Sequence, residues 1–230
     1  MSFTPLESEP DKRPVSVKIL KYDLFLYPFA MRLGSHFLWG GPLDQLHNWS
    51  SEPFPLVEDQ AFDQASPVHK HFYTIFDADE GFLTIYRRFI KEFVWPHYGV
   101  DIVYQAKPSF RIHYPDNLAV GEFHRDSEYN HPLAEDNWWL PFTAAYDSNT
   151  IWIESKKDLG DYTPCTVSPG EVLVFPGGVL RHGNKINDTG VSRVSIDFRV
   201  MRHSDYSTSE ACSVNRKLSF KLGEYYEAFP

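Results

Sequence analysis

Between residues 80 and 95 apolar side chains recur every three or four positions: Phe82, Ile85, Tyr86, Phe89, Ile90 and Phe93. That spacing puts them on one face of an α-helix, with Arg87, Arg88, Lys91 and Glu92 on the other. Asp77 or Asp79 is placed to cap the first turn, and Pro96 to end the helix. Its expected role is to pack against a sheet. From about residue 109 the period shortens to two. Strands are predicted at 110–114, 120–124, 138–145, 150–153, 165–167, 171–175, 180–184 and 191–201. Turn residues separate them, among them Pro115-Asp116-Asn117, Asp147-Ser148-Asn149, Ser168-Pro169-Gly170 and Pro176-Gly177-Gly178. Short strands at this spacing predict an antiparallel sandwich or jelly roll.

The remaining segments are less patterned. Residues 1–14, with Pro5, Pro10 and Pro14, read as a flexible tail. Residues 15–40 are expected to supply a strand or two and a turn at Gly40-Gly41-Pro42. Residues 42–79 carry Pro42, Pro53, Pro55 and Pro67 and are expected to be irregular, with a short helix. The polar and aromatic stretch after Met201 is open to three readings: a helix covering one sheet, a lid, or a contact in a homodimer. A single domain at 15–230 is predicted, with its β core at about 108–201 and a C-terminal extension at 202–230.

Composition narrows the function. A chain of 230 residues suits one large domain with a sizeable core. Aromatic residues are 16% of it, so a core or cavity wall rich in flat, bulky side chains is expected. The formal net charge of -9 comes without any clustering of Lys and Arg, which argues against nucleic acid as a partner. It favours a cationic small-molecule substrate slightly over an anionic one, and otherwise serves solubility. No apolar run is long enough for a membrane span and no apolar leader opens the chain. The expectation is a cytoplasmic protein in which Cys165 and Cys212 stay reduced.

Three short motifs carry chemistry. In His124-Arg125-Asp126, positions i and i+2 of an extended backbone point the same way, so an imidazole and a carboxylate can reach one point. His182 lies on a later predicted strand, and a jelly roll sets non-adjacent strands side by side. Two imidazoles and one carboxylate on one side of a metal suit Fe(II) and oxygen chemistry. Arg193-Val194-Ser195 follows, with Arg193 and Ser195 on one strand face. A guanidinium beside a hydroxyl can grip a carboxylate through charge-assisted hydrogen bonds. Each motif alone is common; the ordered set is far more specific.

That set, with the wording around it, resembles the Fe(II)/2-oxoglutarate-dependent oxygenases, and within them a StrG-like group of the streptomycin-biosynthesis type. The matching phrases are Ala119-Val120-Gly121-Glu122-Phe123-His124-Arg125-Asp126, Ile151-Trp152-Ile153-Glu154-Ser155, His182-Gly183-Asn184 and Ser192-Arg193-Val194-Ser195-Ile196-Asp197-Phe198-Arg199. They fall within about residues 108–201. The resemblance implies a mainly β, cupin-like double-stranded β-helix with flanking helices. It implies Fe(II) on His124, Asp126 and His182, and 2-oxoglutarate held by Arg193 with Ser195. Because Asp126 is present where related halogenases lack a carboxylate, it implies oxygen insertion or oxidation of a small polar metabolite.

Further candidates rest on shared strand faces. Asn184, on the face of His182, is a candidate contact to the cosubstrate. Trp152 and Glu154, opposite Ile151 and Ile153, are candidate substrate contacts, Glu154 for a cationic group. Arg111 and His113 are candidates for the mouth. Arg199 either adds charge to the pocket or pairs with Asp197 or Glu154. His69, His71 and His131 are expected at the surface. Two rival readings use the same residues: a cupin-like metal-binding protein without oxygenase turnover, and a metal-dependent isomerase or epimerase.

Overall fold

The strand that organises the molecule is its longest, Arg193–Arg202. Its sequence alternates Arg193, Ser195, Asp197 and Arg199 on one face with Val194, Ile196, Phe198 and Val200 on the other. All of these are buried. A strand buried on both faces needs protein on both sides, and here the two sides differ: an apolar layer of helices on one, a polar interior on the other.

The structure is a computed structural model that describes residues 16–52, 54, 63–76, 78–213 and 217–229. Its strands are β1 (Lys18–Lys21), β2 (Ile102–Gln105), β3 (Ser109–His113), β4 (Asp136–Pro141), β5 (Trp152–Ile153), β6 (Thr163–Pro164), β7 (Glu171–Phe175), β8 (His182–Gly183), β9 (Arg193–Arg202) and β10 (Tyr226–Phe229). Its helices are α1 (Phe29–His36), α2 (Pro67–Phe76), α3 (Glu80–Phe89) and α4 (Trp95–Tyr98). The main sheet runs β1-β7-β4-β9-β2-β10, and β3 pairs with the first half of β9 beside β2. Every pairing is antiparallel. A small sheet, β6-β5-β8, is extended by an isolated bridge from His182 to His124. The architecture is mainly β, a double-stranded β-helix with flanking helices.

Period-two alternation assigns the two faces. Outward from the main sheet, Phe110, Ile112, Trp138, Leu140, Val172 and Val174 join the β9 apolar face in one core with Phe29, Leu33, Phe72, Phe82, Tyr86 and Phe89 of the helices. Inward, Trp139, Leu173 and Phe175 meet Ile153 and Leu180 of the small sheet in a second cluster. Aromatic rings dominate the first core: Phe72 stacks on Phe110 at 4.2 Å, and Phe89 meets Tyr22, Tyr27, Phe29 and Phe93 at 4.9–5.7 Å. No helix among the described residues is long and apolar enough to cross a membrane. Cys165 and Cys212 are free thiols.

Several expectations need correction. Asp79 caps α3, accepting the Phe82 N–H at 3.0 Å, but Pro96 does not end the helix. A widened π turn at Ile90–Val94 intervenes, and Pro96 then falls in the first turn of α4, where its missing N–H costs nothing. Gly99, at φ 65°, terminates it instead. Residues 16–40 hold one strand, as expected, and also helix α1, which was not. No strand forms at 120–124, where the chain turns at Ala119 and Gly121 and makes only the His124 bridge. After Met201 the described residues form no α-helix: β10 adds an edge strand to β2. The tail expected at 1–14 lies outside the described residues.

Phe89 belongs to the helix face that seals the main sheet. Phe89→Ala should lower stability by about 3–5 kcal/mol, as buried aromatic truncations do, read as a fall in the urea midpoint at unchanged slope.

Candidate active site

The bridge that extends the small sheet brings His124 and His182 together. His124 N–H donates to the His182 carbonyl at 3.0 Å, and His182 N–H to the His124 carbonyl at 2.9 Å. The backbones come this close because position 183 is glycine. A Cβ there would lie 3.0 Å from the Phe123 Cα and ring. The Nδ1 of His124 lies 2.9 Å from the Glu122 carbonyl, and that of His182 lies 3.0 Å from the Leu180 carbonyl. Only an N–H can bond a carbonyl, so each ring is protonated at Nδ1 and presents a lone pair at Nε2. Both Nε2 atoms face Asp126 Oδ1, at 3.5 and 3.4 Å.

Asp126 does not continue the strand of His124. It opens a short 3-10 turn, Asp126–Tyr129, that carries its side chain into the interior. Its Oδ2 accepts from Asn137 Nδ2 at 2.8 Å, Arg199 Nε at 3.1 Å and Arg199 Nη2 at 2.9 Å, so Oδ1 is the oxygen left for a ligand. Burial works against its ionisation, but the Arg199 guanidinium holds its carboxyl well below the usual carboxylate range. One donor atom from each of His124, Asp126 and His182 lies within 4.8 Å of the others. Two fixed imidazole lone pairs and one anionic oxygen, each ligand oriented by a further hydrogen bond, are a donor set that fits a divalent first-row ion such as Fe(II).

The inner face of β9 supplies the rest. Arg193 is 2% exposed. Its Nε donates to the Asn149 carbonyl at 3.2 Å and its Nη1 to Ser195 Oγ at 2.9 Å, while the guanidinium lies 5.4 Å from the Trp139 ring centre. Trp139 Nε1 donates to the same Ser195 oxygen at 3.1 Å. Among the described residues no carboxylate comes within ion-pair distance of Arg193. Burial pulls its pKa down to about 10, against a partial pull upward from Asp63. The other two arginines of this wall are paired. Arg199 bridges Asp126 and Asp197, which raise its pKa well above the ordinary value against the effect of burial. Arg111 Nε donates to Asp197 Oδ1 at 3.1 Å, with Asp63 Oδ1 at 3.6 Å from its Nη1.

The structure gathers most of the expected residues around one cavity. His124, His182, Asn184, Arg193, Arg199 and Arg111 line it, and Asp126 and Ser195 lie in hydrogen-bond or ion-pair contact with that lining. Asn184 Nδ2 donates to the Thr150 carbonyl at 3.0 Å. Two proposed substrate contacts are not there. Glu154 is buried and its carboxylate is consumed by backbone, accepting from Arg181 N–H at 2.7 Å and Gly160 N–H at 3.2 Å. Trp152 turns to the outer side of the small sheet, where Lys185 Nζ lies 3.4 Å from its ring centre. Ile151, from the opposite face of that segment, lines the cavity in their place. His113 is wholly buried against the Asn117 carbonyl at 2.7 Å, and His69 is buried rather than at the surface. Asn137, Trp139, Phe175 and Asp197 complete the wall. The two-residue step that joined Arg193 to Ser195 also reaches Asp197; Asn137 and Trp139 belong to a run that read only as apolar strand.

Arg199 touches no open coordination atom, yet it fixes which carboxylate oxygen Asp126 presents. Arg199→Gln should weaken Fe(II) binding about 10–100-fold, the usual effect of losing such an outer partner, in an anaerobic metal titration. Unchanged affinity would remove Arg199 from the metal-holding group.

No family model matches the chain. It is 39% identical over 172 residues to the streptomycin biosynthesis protein StrG of Streptomyces griseus, covering 74% of this chain and 80% of that protein. Among solved structures, the non-heme alpha ketoglutarate dependent carbocyclase SnoK from nogalamycin biosynthesis superposes with a TM-score of 0.52 at 12% identity, over 94% of this chain and 92% of the other. AviO1 from Streptomyces viridochromogenes Tue57 gives 0.46 at 14% identity, over 84% and 92%. At such identities the likeness to SnoK is one of fold. The identity to StrG over most of both chains goes further: this chain belongs to the StrG family, built on the double-stranded β-helix.

Proposed function

We propose that this protein is a mononuclear non-haem Fe(II) oxygenase that consumes 2-oxoglutarate and O2 to hydroxylate or otherwise oxidise a small polar metabolite. The observation that carries the reading is Arg193. A buried guanidinium with no carboxylate partner is costly unless an anion arrives to pair with it. It stands on the same inner wall as a His-Asp-His donor set. A ligand with a chelating end and a distal carboxylate answers both features, and 2-oxoglutarate has that form. A metal-binding module without turnover, or an isomerase, has no use for such an anchor.

When bound, Fe(II) and 2-oxoglutarate supply the oxidising chemistry, with O2 and 2-oxoglutarate ending as succinate, CO2 and an oxygen atom or oxidising equivalent for a substrate C–H. The chain's residues hold and orient. His124, Asp126 and His182 would hold the metal. Arg193 and Ser195 would grip the distal carboxylate, with Ser195 Oγ fixed between Arg193 and Trp139. Asn184, which lines the cavity with His182, would contact the cosubstrate. Trp139, Phe175 and Ile151 make the apolar part of the wall and limit water. Asp126 occupies the position that a halide would need, which favours oxidation over halogenation. The relative's name places it in antibiotic biosynthesis. A cytoplasmic biosynthetic role on a small molecule, with no nucleic acid or membrane partner, agrees with that name and with the acidic balance.

The test is 2-oxoglutarate binding to the Fe(II) protein under argon, followed calorimetrically and by the visible charge-transfer absorption. The wild type should bind with that band. Arg193→Met should retain iron and lose 2-oxoglutarate affinity by about 100-fold, the scale of a lost buried charge-assisted pair. Equal 2-oxoglutarate affinity in the two proteins would overturn the assignment.

A further inference from the structure

Arg111, Arg193, Arg199 and Asp197 are the charged side chains that line the cavity, and their donors and acceptors are unevenly spent. Asp197 has both oxygens taken: Oδ1 accepts from Arg111 Nε at 3.1 Å and Oδ2 from Arg199 Nη1. All three nitrogens of Arg199 are engaged, Nη1 with Asp197, and Nε and Nη2 with Asp126 Oδ2 at 3.1 and 2.9 Å. Arg193 is the anchor assigned above to the cosubstrate. Arg111 differs from both. Its Nε is engaged, but among the described residues neither Nη1 nor Nη2 makes a hydrogen bond. Asp63 Oδ1 stands 3.6 Å from Nη1, beyond hydrogen-bond reach. The Arg111 side chain is 13% exposed where it lines the cavity. The wall therefore offers charged donors and no open carboxylate.

The place of Arg111 suits a substrate contact. It sits on β3 opposite Ser195 of β9, and its side chain leans to Asp197, one two-residue step further along. Arg199, which holds Asp126, is one more such step away, roughly 7 Å on a strand. The guanidinium thus stands between the row of the cosubstrate anchor and the row of the metal ligands, on the β3 side. A molecule of sugar or amino-acid size spans that step. Burial works against the charge of Arg111, but Asp197 and Asp63 raise its pKa above the ordinary value, so it stays a cation. These two carboxylates offset its charge without occupying its terminal N–H groups, so an arriving oxyanion displaces no partner. Parallel N–H donors of a fixed fork match the paired oxygens of such a group.

We infer that Arg111 is a specificity-determining contact for the substrate, and that the group it takes is an oxyanion, a carboxylate or a phosphate monoester. The inference rests on the oxygenase reading for treating this space as a substrate cavity, and it deepens that reading by naming the substrate class. The oxyanion seats on the β3 side and the rest of the molecule lies toward the His124–Asp126–His182 cluster. This reverses the expectation drawn from the net charge of -9. That charge is a sum over the whole chain, whereas the wall that meets the ligand presents guanidinium groups.

The test uses thermal unfolding of the Fe(II) and 2-oxoglutarate-loaded protein under argon, with probes built on one sugar ring: D-glucuronate, D-glucose 6-phosphate, D-glucose and D-glucosamine. At least one of the two anions should raise the wild-type Tm by about 2–4 °C, and which one does so separates carboxylate from phosphate. The neutral and cationic sugars should leave it unchanged. Arg111→Lys keeps a charge beside Asp197 and Asp63 but loses the fork. It should bind 2-oxoglutarate as the wild type does and lose the anion response. Arg111→Gln, which removes the charge as well, should lose that response too; if it folds poorly, Arg111→Lys decides alone. A wild-type shift that is equal across the probes, absent from all of them or confined to D-glucosamine overturns the inference, as does an anion response that survives substitution. Loss of 2-oxoglutarate affinity in Arg111→Lys on the scale of Arg193→Met places Arg111 in the cosubstrate anchor and also overturns it. A wild type stabilised by the anions but not by 2-oxoglutarate instead overturns the oxygenase reading and leaves the oxyanion site standing.

Discussion

Taking a charged group out of water is costly unless a counter-charge meets it, and the inner face of β9 is arranged around that constraint. Arg193, Ser195, Asp197 and Arg199 are all buried on it. Every charge but that of Arg193 is answered within the protein: Arg199 by Asp126 and Asp197, Asp197 by Arg111 and Arg199. Burial works against Asp197 as an anion, but the two arginines hold its pKa below the ordinary value. The polar interior is therefore a ladder of mutual dependence, and Asp126, the carboxylate of the candidate metal centre, is one rung of it. Desolvating so many ions brings little net stability. What the ladder provides is position.

The stability that tolerates this interior comes from the opposite face of the same strands. Val194, Ile196, Phe198 and Val200 pack under a helix layer that is largely aromatic. Tyr86 adds a polar tie, its hydroxyl donating to the Gln105 carbonyl at 2.6 Å. The chain's unusual aromatic content is spent there far more than on the cavity wall, where Trp139 and Phe175 are the rings that line it. One strand thus serves two purposes because its side chains alternate: one set anchors the domain and the other arranges charge.

That division explains what could be read in advance. His124 and Asp126 lie two apart, but they meet through the turn that Asp126 opens, and His182 joins them through a bridge between distant segments. Arg193 and Ser195 were legible as neighbours because they sit at a two-residue step of β9, which strand geometry turns into a shared direction. Arg111 and Arg199 were legible as cavity residues for the same reason. Glu154 and Trp152 were misplaced because the step says that two residues share a face, not which face is inward; Ile151 and Ile153 took the inner side. Asp63 was invisible. It lies in a segment with no period, and its tie to the cavity wall is an ion pair with Arg111, 48 positions away. Likewise Pro96 looked like a helix end because a π turn leaves little mark in the apolar spacing. The edge strand β10 depends on pairing with β2, a contact more than 120 residues distant in sequence.

Both histidines bond their Nδ1 to a carbonyl two residues earlier in their own chain segment. Many metal sites orient imidazoles with a carboxylate from another part of the fold. Here the orienting group travels with the ring it orients. The two nitrogen donors are consequently preset before any ion arrives, and little entropy remains to be lost from them on capture. Only the carboxylate depends on distant residues, Asn137 of β4 and Arg199 of β9, which set the direction of its free oxygen.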